Sequence, residues 1–119
     1  VEVVPKKWGR ELIVCNNELY AGKILEVDRG AISSLHRHLR KDETFWCLNG
    51  IIRLEVGGES HFLTCEHEPV RVRAGIWHRF EGLEWGRLLE VSTPHSDDDV
   101  ERLTQSQSAE ERRGLPRRV

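Results

Sequence analysis

Two glycine turns close together in the middle of this chain decide its class. Asn49-Gly50 and Gly57-Gly58 enclose only Ile51 to Val56, a run too short for a stable helix and of ordinary strand length. Asn-Gly between alternating residues is a strong hairpin signal, because the turn needs positive φ at both central positions. The same rhythm runs through the rest of the sequence. Trp8 to Cys15 and Leu19 to Val27 flank Asn16-Asn17, Asp28-Arg29-Gly30 precedes Ala31 to Leu39, and Thr44 to Leu48 leads into Asn49-Gly50. His61 to Cys65, Val70 to Val72, His78 to Phe80 and Leu88 to Ser92 follow. About eight or nine short strands with turn residues between them predict an all-β domain, an antiparallel β-barrel or sandwich. The single helical candidate starts near Asp97, where Asp97, Asp98 and Asp99 suit the positive end of a helix dipole.

Composition bounds the partners. At 119 residues the chain holds one domain, read as a barrel over residues 1–104 and a polar, basic tail over 105–119. The tail ends in Arg112, Arg113, Arg117 and Arg118 and reads as frayed chain, with an anion-binding arm as the alternative. A net charge of -2 argues against nucleic acid as a partner. No apolar run approaches the roughly 20 residues that a bilayer demands, so no membrane span is expected. Cys15, Cys47 and Cys65 are odd in number and widely spaced, and no secretory leader is read at the start, so a reduced, cytoplasmic protein is expected. With 32% charged residues the core is small, and a second copy would bury more apolar surface.

The chemistry is concentrated between Gly30 and Gly50. His36 and His38 are two apart in a strand, so both imidazoles leave the same face. Glu43 opens the next strand after a four-residue turn, Leu39 to Asp42, and an antiparallel return carries its carboxylate back toward them. His78 follows Gly75, which permits a tight turn just before a strand. Three imidazoles and one carboxylate suit a divalent transition metal, Mn, Fe, Co, Ni or Zn. Octahedral binding by four residues leaves two positions for substrate oxygens or water.

These residues resemble the first motif of the cupin superfamily, G-x5-H-x-H-x4-E-x6-G, which Gly30, His36, His38, Glu43 and Gly50 match position for position. The second motif, G-x5-P-x-G-x2-H-x3-N, is met at Gly75 and His78. Arg73 stands at its proline, His67 at its first glycine and Gly82 at its asparagine. Arg73 thereby brings a cation near the site, as a solvent-facing substitution or a substrate-anion contact. Trp8-Gly9, Lys23-Ile24-Leu25, Ser33-Ser34-Leu35, Glu43 to Trp46, His78-Arg79-Phe80, Glu90-Val91 and Asp97 to Arg102 are similar to the cupin domain of type II phosphomannose isomerases. That family commonly has Gln at the first ligand position; His36 there moves the chain toward small stand-alone metal cupins, including other sugar isomerases. The resemblance implies a double-stranded β-helix, or jelly roll, with metal ligands His36, His38, Glu43 and His78. It also implies a homodimer in which the N-terminal strand of one copy covers the other's barrel.

The function so implied is aldose–ketose isomerisation of a sugar or sugar phosphate through an enediolate, which requires a base near the metal. Lys23 shares the face of Leu25 and Val27 and points inward by alternation. Glu90, between Leu89 and Val91, is the other candidate base, facing either the interior or solvent. His95, in Thr93-Pro94-His95-Ser96, is a third candidate base or a substrate contact, with an ordinary loop histidine as the alternative, and Phe45 and Phe80 share the faces of Glu43 and His78 as pocket walls that shape the substrate site. Arg37, Arg40 and Lys41 read as solvated charge or a phosphate contact, and Trp77 as a surface or dimer residue. An Fe(II) dioxygenase and a non-catalytic sugar-binding cupin remain alternatives, since one site serves many chemistries.

Overall fold

Alternation along Ala21–Val27 sets the inside and outside of the molecule. Ala21, Lys23, Leu25 and Val27 are buried, and the residues between them are half-exposed. The computed structural model describes residues 1–114; Arg117 and Arg118 of the expected tail lie outside the described residues. Its strands are β1 (Glu2–Lys6), β2 (Gly9–Asn16), β3 (Ala21–Val27), β4 (His36–His38), β5 (Glu43–Asn49) and β6 (Ile52–Val56). They continue as β7 (Glu59–Leu63), β8 (Val70–Val72), β9 (His78–Gly82), β10 (Gly86–Ser92) and β11 (Val100–Arg102), with one helix, α1 (Ala109–Arg113).

Two antiparallel sheets face each other as in a jelly roll, ordered β1-β2-β3-β10-β5-β8 and β11-β4-β9-β6-β7. The all-β expectation holds, and β1 is added to it. β1 pairs with β2 of its own chain from Glu2↔Ile13 to Lys6↔Gly9.

Register separates the interior into an apolar end and an ionised end. In the first sheet Leu88 lies opposite Leu25 and Cys47, while two residues along β10 Glu90 lies opposite Lys23 and Phe45. In the second sheet Phe80 and then His78 follow the same direction along β9. Leu25, Val27, Ala31, Cys47, Ile52, Leu54, Leu63 and Leu88 form the dry core with Trp8, Phe45, Val72 and Phe80. Complete burial of one Leu side chain such as Leu88 stabilises by about 1.5–3 kcal/mol, which anchors the end of the barrel that carries no chemistry.

Asp97 does not begin an α-helix. Asp97–Asp99 makes one 3-10 turn, and the chain extends again as β11 because the edge of β4 is free to pair with it. The α-helix forms later, where Ser108 and Glu111 make a reciprocal capping box. The described part of the expected tail is tied to the barrel: Ile32 and Gln107 exchange backbone hydrogen bonds, and Arg112 donates to Gly30 O and to Glu81.

Candidate metal centre

β4 and β9 lie side by side with His36 directly opposite His78, and period-2 alternation sends His38 inward with His36. Each imidazole thus presents one nitrogen to a common point, and these three nitrogens lie within 4.8 Å of one another. Glu43 begins β5 across the barrel and brings Oε2 to 3.4 Å from His38 Nε2 and 3.3 Å from His78 Nε2. Gly75 makes the approach to His78 with φ of 85° and donates its N–H to His38 O at 2.7 Å. That conformation favours glycine.

Hydrogen bonds orient the rings. Nδ1 of His36 contacts Ser34 O at 2.8 Å and Nδ1 of His78 contacts Ile76 O at 2.9 Å. An Nδ1–H donating to a carbonyl leaves Nε2 as a lone pair facing inward, the arrangement seen around metal-ligating histidines. Burial, with His78 close by, lowers His36 to about 3. Burial and the Lys41 ammonium lower His38 to about 2. Both rings are neutral at physiological pH and able to ligate.

The donor set also shows an unmet need. Glu43 Oε2 and His78 Nε2 are buried without a hydrogen-bond partner. Burial and then the neighbouring Glu90 carboxylate push Glu43 up. A divalent cation at this point would satisfy both atoms and favour the ionised carboxylate. The residues present therefore fit a divalent metal, and the chemistry of the set does not choose among the transition metals.

A cavity of about 490 Å³ opens onto this cluster. Trp8, Leu25, Phe45 and Phe80 form its apolar wall, and Lys23, Lys41, Glu43, Glu90 and His95 its titratable wall. Lys23 is inside as expected, paired with Glu11 at 3.0 Å. Glu90 also faces inward, 5% exposed, because the apolar Leu89 and the exposed Val91 lie on the outer face of the sheet. His95 contacts Asp97 at 3.0 Å and Lys41 Nζ at 3.3 Å. Phe80 packs edge-on against Trp8 with centroids 5.0 Å apart.

Of the two readings of Arg73, the structure shows the solvent-facing one. The Arg73 side chain is exposed and does not line the cavity, because Val72 takes the inward position on β8 and alternation turns Arg73 out. Gly82, at the motif's asparagine, sits where a Cβ would come within 2.3 Å of Asp28 O, so close strand approach accounts for the glycine. Arg37 lies over Trp77, 4.8 Å from the ring, and pairs with Glu101, while Arg40 pairs with Asp98 at the surface.

Lys41 is the residue that sequence reasoning missed. Read as solvated or phosphate-facing, it is 3% exposed, 2.7 Å from Glu90 Oε2 and 3.7 Å from Glu43 Oε1. Burial pulls its ammonium down, but Glu90 and Glu43 outweigh this and raise it, so it is charged. Burial pushes Glu90 up, and Lys41 followed by Lys23 reverses this and holds it below the ordinary carboxylate range. Lys6, Glu11, Lys23, Glu90, Lys41 and Glu43 thus form a row of alternating charge leading to the histidines.

No protein-family model and no curated protein matches the chain. Solved structures do. The chain is similar to KdgF from Halomonas, 23% identical over 75% of this chain and 81% of that one, with a TM-score of 0.68. It is similar to an RmlC-like cupin from Shewanella frigidimarina, 19% identical over 82% and 86%, with a TM-score of 0.73. It is also similar to Pac13, a nucleoside dehydratase, 12% identical over 92% and 89%, with a TM-score of 0.75; variants of that Streptomyces protein are solved with uridine. The fold is that of the cupins.

Proposed function

We propose that this cupin-fold chain is a divalent-metal-dependent isomerase of a sugar or sugar phosphate. One observation carries the reading: His36, His38, His78 and Glu43 converge at the wall of a cavity, lined by all of them but the sealed His78, that also holds an ionised Glu90 beside the buried Lys41 and Lys23. The four converging residues would hold the ion, and Lys23 and Glu90 remain the candidate bases.

A bound divalent ion supplies Lewis acidity to two adjacent substrate oxygens. Glu90, ionised and buried, accepts the proton from C2; the carboxylic acid so formed exchanges its proton with solvent and protonates C1, while the O2 hydroxyl proton passes to O1. No oxidant or second substrate is required. Lys41 and Lys23 keep Glu90 in its basic form and donate hydrogen bonds to substrate hydroxyls. Trp8, Phe45 and Phe80 exclude water from the reacting carbons, while His95 with Asp97 closes the polar side.

Charge on the cavity wall bears on the substrate. Lys23 and Lys41 are already paired with carboxylates. Arg102, opposite His36 on β11, lines the cavity and has no carboxylate partner among the described residues. It takes the role expected of Arg73, meeting a substrate phosphate. The test is exchange of the C2 proton with D₂O for aldoses and their phosphates, with Mn, Fe, Co, Ni or Zn supplied in turn. Exchange with formation of the ketose is expected. No exchange with any sugar overturns the reading, and O₂ uptake with Fe(II) instead would favour the dioxygenase alternative.

A homodimer is part of the same proposal. The outer face of the first sheet carries Val3, Leu12, Ile24, Leu89 and Trp46 in one register row across five strands. Val3 and Trp46 are exposed, so a second copy would cover this row; a monomer by light scattering would overturn it. Three free cysteines suit a reducing, cytoplasmic setting. No helix among the described residues is long and apolar enough to cross a membrane.

A further inference from the structure

The geometry points to Asp99 as the positioning residue of the candidate metal centre, acting from the far end of the chain on the turn that joins two of its ligands. This rests on the reading of His36, His38, Glu43 and His78 as a metal site.

Between His38 and Glu43 run Leu39, Arg40, Lys41 and Asp42, a turn with no regular structure of its own. Asp99, 2% exposed, engages three consecutive residues of it. Its Oδ1 accepts from Arg40 N at 2.9 Å, its Oδ2 from Lys41 N at 3.0 Å, and its backbone carbonyl from Leu39 N at 3.0 Å. The Arg40 guanidinium adds a contact to Oδ1 at 3.6 Å.

Both side-chain oxygens are used, so the carboxylate is a two-point template for the turn. A turn held at successive N–H groups has fixed peptide planes, which determine where the Lys41 and Glu43 side chains leave the backbone. The Lys41 stem is thereby directed inward rather than to solvent. The β11 strand that follows Asp99 clamps the other ligand segment, with Val100 opposite His38 and Arg102 opposite His36. The segment from Asp97 to Arg102 thus braces β4 and the β4–β5 turn at once. Neighbouring Asp97 points to His95, and Asp98 meets the exposed Arg40 guanidinium, neither bonding the backbone of the turn.

Asp99→Asn replaces one acceptor oxygen with an NH₂ that faces the Arg40 or the Lys41 N–H in either amide orientation, donor against donor, at nearly unchanged volume. The experiment titrates Co(II) into the metal-free wild-type chain, Asp99→Asn and Asp98→Asn, recording the visible ligand-field spectrum and thermal unfolding without metal. Wild type and Asp98→Asn are expected to bind one Co(II) with the same spectrum. Asp99→Asn should bind about 10- to 100-fold more weakly, with an altered spectrum as Glu43 loses its alignment. If Asp99→Asn lowers metal-free stability but leaves affinity and spectrum unchanged, Asp99 is a fold residue only and the inference fails while the metal site stands. Absence of Co(II) binding in the wild type would overturn the metal reading itself. Asp99→Ala removes both oxygens and should weaken binding further; where it fails to fold, the comparison stands on Asp99→Asn.

Discussion

Lys41 Nζ lies 2.7 Å from Glu90 Oε2 inside the barrel, with both side chains all but sealed from solvent. One residue comes from the turn that leads into β5 and the other from β10, the strand beside β5, and the pair ties the chemistry of the cavity to its metal end. A buried ion pair is a weak source of net stability, yet breaking it by removing one partner is costly.

Lys41→Met should therefore destabilise by about 3–5 kcal/mol, because Glu90 and Glu43 are left facing each other uncompensated. The sign of the pH effect follows from the same pair. Lys41 lowers Glu90, so its removal raises Glu90 and moves the acid limb of proton exchange to higher pH. Lys41→Met combined with Glu90→Leu should recover much of the lost stability without recovering exchange, measured by denaturant unfolding and by the C2-proton assay.

Glu90→Gln keeps the shape of the wall and removes the base. Exchange should fall by about 10²- to 10⁴-fold while Co(II) content stays stoichiometric. Loss of metal together with exchange would mean that Glu90 acts on the centre rather than on substrate.

Arg102→Gln should raise KM for a phosphorylated sugar by about tenfold or more, the scale of one charged hydrogen bond, and leave the unphosphorylated sugar unaffected. Equal effects on both substrates would place Arg102 in the fold of β11 instead.

Acid should release α1 before the barrel unfolds. Burial raises Glu81, but hydrogen bonds from Arg112 and Arg53 overcome this and hold it below the ordinary carboxylate range. A lowered carboxylate adds stability above its unfolded pKa and loses it as pH falls through the folded value. Protection of Arg112 N and Gly114 N, which bond Ser108 O and Glu110 O, should drop in that window. Glu81→Gln should remove this pH dependence of amide exchange.

Local signals were enough for much of this account. The Asn-Gly and Gly-Gly turns delimit β6, and the strand periodicity of Lys23, Leu25 and Val27 predicts the buried face of β3. His36, His38, Glu43 and His78 fall together because motif spacing encodes two adjacent strands and one return. Glu90 was ambiguous for a physical reason: its neighbours Leu89 and Val91 are apolar, and the outer sheet face is apolar too. Lys41 was hidden because nothing within its own turn indicates burial. Its orientation is set by Asp99, far along the chain, and by Glu90 on β10, a strand distant in sequence. Arg73 faces outward past the end of β8, the solvent-facing one of the two readings its motif position allows. The helix expected at Asp97 gave way to a tertiary preference, the free edge of β4.

Anomalous diffraction from crystals of the metal-loaded protein, collected at the metal's absorption edge, tests the central claim most directly. The account predicts one peak per chain about 2.0–2.2 Å from the inward nitrogens of His36, His38 and His78 and from a Glu43 oxygen. A loaded crystal with no peak among these four residues, or with its only peak elsewhere, would contradict it.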